Sequence, residues 1–209
     1  MRGMFRNDLY IACVNVRIFS AFMLLYGIFS VACASLYYQM YFVLIGIVGF
    51  SVNSVVAVFH GESTSKWGKY KLTLPVRRRD IVKSVFLSHI FWLFAGVLFT
   101  GTGTGLFALF HGYSFEQYRE VFLIFALGIS AGLLIGAIFI PLFYLGGEDR
   151  TIALLTISLL CAIGIAALLV NVTTNVDYLL RLAVIFAVSF MAIAVSYWLT
   201  LCIFKRKEY

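Results

Sequence analysis

Five stretches of this chain contain no aspartate, glutamate, lysine or arginine: residues 18–61, 84–115, 121–147, 151–176 and 182–204. A charge at the centre of a bilayer costs about 2.5–3.5 kcal/mol on insertion scales, so runs of this length are where a chain can cross lipid. One crossing takes about 20 residues at a 1.5 Å rise. The first run, 44 residues long, therefore holds two spans folded back on each other. The expected spans are 18–37, 41–61, 84–110, 121–145, 152–172 and 182–204. The first hairpin is expected to turn near residues 37–41, where YYQMY supplies interfacial rings and an amide. Composition agrees, with 63% apolar and 12% charged residues and a mean hydropathy of +1.00, which excludes an ordinary soluble domain. The expected fold is an all-α integral membrane protein of one domain with six spans.

Lysine and arginine set the orientation, because short positively charged loops stay in the cytoplasm. Fourteen of the 16 fall on one side: Arg2, Arg6, Arg17, seven between 66 and 83, Arg150, Lys205, Arg206 and Lys207. Arg119 and Arg181 fall on the other. Both termini are thus expected inside, which requires an even number of spans and agrees with six. The net charge of +7 is topological and does not point to nucleic acid. The start, MRGMFRND, is not expected to be a cleavable signal, since the apolar run after it is too long for an h-region. Phe5, Leu9, Cys13 and Val16 fall at helical spacing beside polar Arg6, Asp8, Asn15 and Arg17. That pattern predicts an amphipathic interfacial helix over 5–17; the alternative is a plain cytoplasmic extension of span 1.

Inside the spans the sequence offers little chemistry. Asn53 and His89 are the polar side chains that could line a pathway, or could hydrogen-bond a neighbouring helix. Gly128, Gly132 and Gly136 repeat every four residues on one face of span 4, a tandem GxxxG that lets helices approach closely, within one chain or between two. TGTGTG at 100–105 lacks a lysine and a preceding strand, so it is no phosphate loop. No HExxH and no paired acids lie at membrane depth, and no metal or cofactor site is expected. Cys13, Cys33, Cys161 and Cys202 are far apart in apolar surroundings and read as small hydrophobes. Asn171-Val172-Thr173 matches a glycosylation sequon without a domain around it to serve.

The long charged segment, 62–83, lies between spans 2 and 3. Trp67, Tyr70 and Leu74 fall on one side of a short helix, with Lys66, Lys69 and Lys71 around the rest. Gly68 weakens that helix by about 1 kcal/mol relative to alanine, and Pro75 stops it. Arg77, Arg78, Arg79 and Asp80 then open span 3, with Asp80 favoured by the helix dipole and Lys83 one turn on. One reading is a basic loop held by anionic lipid, at about 1 kcal/mol per residue. Another is a docking handle.

Glu62 followed by KWGKYKLTLPVRRRDIVKS, between the second and third of six spans, resembles the corresponding segment of permeases of type 2 ABC (ABC-2) exporters. The motif covers about twenty residues and the architecture the whole chain. The resemblance implies that 62–83 carries a cytoplasmic coupling helix, with Glu62, Lys66, Trp67, Lys69, Tyr70, Lys71, Leu74 and Pro75 meeting a separate ATPase subunit. Arg77, Arg78, Arg79 and Lys83 would form the basic inner surface. Arg77 departs from the pattern, in which serine or threonine follows Leu-Pro-Val. The resemblance further implies a second, identical permease chain, a bacterial cytoplasmic membrane, and ATP with magnesium on the partner rather than here. No GxxxxGK[ST] occurs, in keeping with borrowed energy. The small size and short outer loops look most like the phenol-soluble modulin exporters, which move amphipathic peptides. The rival classes are a non-transporting membrane scaffold or immunity-type subunit, and a membrane enzyme.

The charge asymmetry has a direct check. A reporter fused after Tyr209 is expected to report cytoplasm and one inserted near Ser114 the outside; finding both on one side would remove the six-span arrangement.

Overall fold

The computed structural model describes residues 2–65, 78–147, 150–174 and 176–206. Six helices account for them: α1 Arg2–Ala32, α2 Leu36–Ser65, α3 Arg78–His111, α4 Phe115–Gly146, α5 Thr151–Val172 and α6 Tyr178–Arg206. Each carries a segment long and apolar enough to cross a membrane. Helices suit lipid because every mid-span backbone group is satisfied within the segment.

Two expectations need correction. The first hairpin does not turn at 37–41 but at residues 33–35, where Ala34 takes a positive φ of 51°. Small Cys33, Ala34 and Ser35 tolerate that turn, and the Ser35 carbonyl accepts the Gln39 N–H at 3.2 Å to start α2. YYQMY is the first turn of a span and not a loop. Secondly, α1 runs from Arg2 to Ala32 without a break, so no separate helix covers 5–17. No proline or glycine between 5 and 26 interrupts it, and once a helix has nucleated each added residue costs little. The other helices also reach further than the charge-free runs, since α3 takes in Arg79, Asp80 and Lys83, and α4 takes in Glu116, Arg119 and Glu120. Helix ends pass the hydrocarbon boundary, where long charged side chains reach water.

The middle of the bundle is α2, α3 and α4. Their apolar windows are 50%, 50% and 67% buried within the chain, against 17%, 11% and 17% for α1, α5 and α6. α2 packs on α1, α3 and α4; α4 packs on α2, α5 and α6. Towards the termini, a cluster of Val55 and Phe59 of α2, Ile81, Val82, Val85 and Phe86 of α3, and Phe139, Ile140, Phe143 and Tyr144 of α4 is closed off by Leu154, Tyr197 and Leu201. Phe59 is its centre, with the Phe143 ring 4.1 Å and the Phe139 ring 5.3 Å away. Nearer the opposite end, Met23, Phe42, Val43 and Ile47 pack with Phe19, Val97 and Phe125.

The glycine face of α4 is settled within the chain. A Cβ at Gly128 would lie 3.1 Å from Ile47 Cδ1 of α2, and one at Gly132 would lie 2.7 Å from Leu93 Cδ1 of α3 and 3.4 Å from Ser51 of α2. One at Gly136 would collide with the His89 ring. Gly132→Leu is therefore expected to lower the melting temperature and folded yield of the purified protein, by about 1–3 kcal/mol if the cost is that of an overpacked core. Gly164→Leu, on α5 with nothing within 4 Å, should leave both unchanged.

Candidate functional site

The residues expected to couple to an ATPase, Lys66, Trp67, Lys69, Tyr70, Lys71, Leu74 and Pro75, and the expected basic-surface residue Arg77, lie outside the described residues. Glu62 belongs to the last turn of α2 and Arg78 is the first residue of α3. The segment thus joins two helix ends that pack directly on each other and on α4, a few residues from the aromatic cluster around Phe59. Arg79 and Lys83 are exposed, on the side of α3 that continues into lipid-facing Leu87, Ile90 and Phe94. At i and i+4 they stand together on one face of the helix.

His89 does not stand alone. Its Nε2 lies 3.1 Å from the Gly132 carbonyl, which can only accept, so Nε2 carries the proton. Ser51 of α2 donates to the same oxygen at 3.2 Å. One α4 carbonyl thereby holds α2 and α3 at once. Gly136, one turn along, has no Cβ and leaves the space in which the imidazole lies. The ring is 2% exposed, and its Nδ1 has no hydrogen-bond partner among the described residues. Asn53 behaves differently: its Nδ2 donates to the Gly49 carbonyl of its own helix at 2.8 Å, and the residue is half-buried.

A second polar knot was missed by sequence reasoning. Gln39, read as an interfacial amide, is fully buried. Its Nε2 donates to Thr104 Oγ1 of α3 at 2.9 Å, and its Oε1 accepts from Ser30 Oγ of α1 at 3.1 Å. The signal was available in helical periodicity, since Gln39, Phe42, Val43, Gly46, Ile47 and Phe50 form the continuous buried stripe of α2. A third contact, Ser130 to Ser189 at 2.6 Å, joins α4 to α6.

An apolar groove of about 280 Å³ lies between α1, α2 and α3, lined by Met23, Gly27, Phe42, Phe99, Gly103 and Phe110 among others. Neither Asn53 nor His89 is part of its lining. Among the described residues no group of three or more His, Cys, Asp or Glu is placed to hold a metal ion. The arrangement ties α2, α3 and α4 together through hydrogen bonds and leaves apolar surface along α1.

Compared with known protein families, residues 3–205 match the one described as ABC-2 family transporter protein. No curated protein and no solved structure matches the chain.

Interhelical hydrogen bonds in bilayers average about 0.6 kcal/mol and reach about 1.7. Gln39→Leu removes two of them and is expected to destabilise the protein by about 1–3 kcal/mol. A double-mutant cycle with Thr104→Val, read by unfolding in detergent, should return a coupling energy; strict additivity of the two substitutions would mean that this bond contributes nothing.

Proposed function

The chain belongs to the ABC-2 transporter family, as a membrane-spanning permease component of an ABC transporter, and we propose that it exports a hydrophobic or amphipathic substrate with energy from a separate ATPase docked on residues 62–83. The observation that carries this reading is where that segment is attached. Its two ends continue into α2 and α3, whose last and first buried turns, respectively, through Val55 and Phe59 and through Ile81 and Val85, pack on Phe139 and Phe143 of α4. Interiors packed at such density transmit displacement instead of absorbing it. A push delivered between 62 and 83 reaches three spans together.

The docking residues would be Trp67, Tyr70 and Leu74, an aromatic and aliphatic anchor within a rim of Lys66, Lys69 and Lys71, the composition in which a few buried rings dominate binding. ATP and magnesium would sit on the partner. A second, identical permease chain would complete the pathway, and the weakly buried α1, α5 and α6 offer the apolar faces for it. The apolar groove along α1 and the 21 phenylalanines suit a greasy cargo, and the turns at 33–35 and 112–114 are short. An amphipathic peptide, as in the phenol-soluble modulin exporters, fits that chemistry.

Trp67→Ala is expected to cost about 2 kcal/mol or more of ATPase binding if the ring is a hot spot, with insertion and the six spans intact. Co-purification of the ATPase and its ATP turnover are the measurements. Normal values for both in the variant would remove the coupling assignment, and a loss that instead follows neutralisation of Arg77, Arg78 and Arg79 and scales with anionic lipid would favour a lipid-anchored loop.

A further inference from the structure

Sequence assigns two of the 16 basic residues, Arg119 and Arg181, to the side opposite the termini, and the structure brings both to one hollow. The reason is local. Ser114 starts α4 with a capping box, its hydroxyl accepting from the Gln117 N–H at 3.4 Å while Gln117 Oε1 accepts from the Ser114 N–H at 2.8 Å. The first turns of α4 then place Glu116, Arg119, Glu120 and Leu123 at i, i+3, i+4 and i+7, on one face. Tyr178 and Arg181 stand at i and i+3 on the first turn of α6. The two helix starts are clasped. The Tyr178 hydroxyl donates to the Arg119 carbonyl at 2.9 Å, and the Arg119 guanidinium lies 4.6 Å from the centre of the Tyr178 ring.

Between them is a hollow of about 290 Å³ lined by Glu116, Arg119, Glu120, Leu123, Tyr178 and Arg181. Arg181 Nε is closed off from solvent and has no hydrogen-bond partner among the described residues, so one N–H of the guanidinium at this wall is left without an acceptor. A second hollow, of about 780 Å³, shares Arg119 and Tyr178 with the first and is lined also by Asp177, Leu179, Leu180 and Ala183. Leu179 and Leu180 are 79% and 56% exposed. The pair of hollows therefore has the shape of an amphiphile: a charged head space of both signs joined to an apolar seat on the lipid-facing side of α6.

We propose that Arg119 and Arg181, with Glu116 and Glu120, form a binding site for a phospholipid whose headgroup carries a phosphate and a primary ammonium, an ethanolamine phospholipid of the leaflet at that end of the bundle. The arginines take the phosphate, whose planar, bidentate recognition is what guanidinium does best. The two carboxylates take the ammonium, with hydrogen bonds that a quaternary choline cannot make. Leu179 and Leu180 seat the start of an acyl chain. A headgroup bearing only negative charge meets the carboxylates without a partner and binds less well.

The test is lipid titration of the full-length purified protein, read by native mass spectrometry as bound lipid per chain, with phosphatidylethanolamine, phosphatidylcholine and phosphatidylglycerol of the same acyl chains, and with soluble phosphoethanolamine. Phosphatidylethanolamine is expected to bind tightest. Arg119→Gln and Arg181→Gln should each weaken it about tenfold or more, the size of one charge-assisted hydrogen bond. Arg181→Lys should retain part of the affinity, which separates loss of charge from loss of fold. Glu116→Gln with Glu120→Gln should bring phosphatidylethanolamine down to the level of phosphatidylcholine while leaving the latter unchanged. Equal affinity for the three lipids, or undiminished phosphatidylethanolamine binding in both arginine variants, overturns the site. Soluble phosphoethanolamine binding as tightly as the lipid overturns the lipid as its source.

Discussion

The backbone oxygen of Gly132 is the point on which the bundle depends. In water, burying apolar side chains would hold six helices together; in lipid the tails outside are as apolar as the leucines inside, and that driving force is gone. What remains is close packing and hydrogen bonding across helices. Gly132 supplies both, since its missing side chain lets Leu93 and Ser51 approach and its carbonyl accepts from Ser51 and His89. Gly136 completes the arrangement by leaving the volume the imidazole fills. α2, α3 and α4 are thereby tied by one oxygen, and the weakly buried α1, α5 and α6 are arranged around them.

Three other polar contacts extend the same principle outwards. Gln39 ties α1 to α2 and α3 through Ser30 and Thr104, and Ser130 ties α4 to α6 through Ser189. α5 is held differently, by Leu154 and Leu155 against the aromatic cluster and by Ala162 against Leu134 and Ile135, with most of its surface left open. A helix so lightly committed within one chain has apolar surface to spare for lipid or a second chain. The basic segment between α2 and α3 is attached to the tied centre, so a partner acting there addresses the stiff part of the molecule. The opposite end is finished by a second kind of chemistry, in which a capping box, a cation over an aromatic ring and a phenol to carbonyl bond fix the starts of α4 and α6 side by side.

The number and type of spans were legible in the sequence because a charge in hydrocarbon is so costly that its absence over twenty residues marks a crossing almost by itself. The boundaries were less legible, and for the same reason: charges such as Asp80, Lys83, Glu116 and Arg119 are tolerated at helix ends, so charge-free runs undercount the helices they belong to. The family, too, could be read from Glu62 and the twenty residues after it, which agrees with the match over 3–205. That a glycine face on span 4 makes a close contact was also legible, from its four-residue period.

Which surface that face meets was not, because period says only that a face exists, and Ile47, Leu93, Ser51 and His89 come to it from two helices distant in the chain. Gln39 shows the limit most clearly. As a residue in YYQMY it looks like an interfacial amide; helical spacing puts it in line with Phe42, Val43, Gly46 and Ile47 once the turn is known to close at 33–35, but its partners Ser30 and Thr104 come from two other helices. Arg119 and Arg181 likewise are two isolated cations 62 positions apart in sequence, and their common hollow exists only because α4 and α6 start side by side. Solvent preference acts on each residue separately and is written into the order of the chain. Partnership between polar groups in lipid acts between residues far apart, and is decided where helices cross.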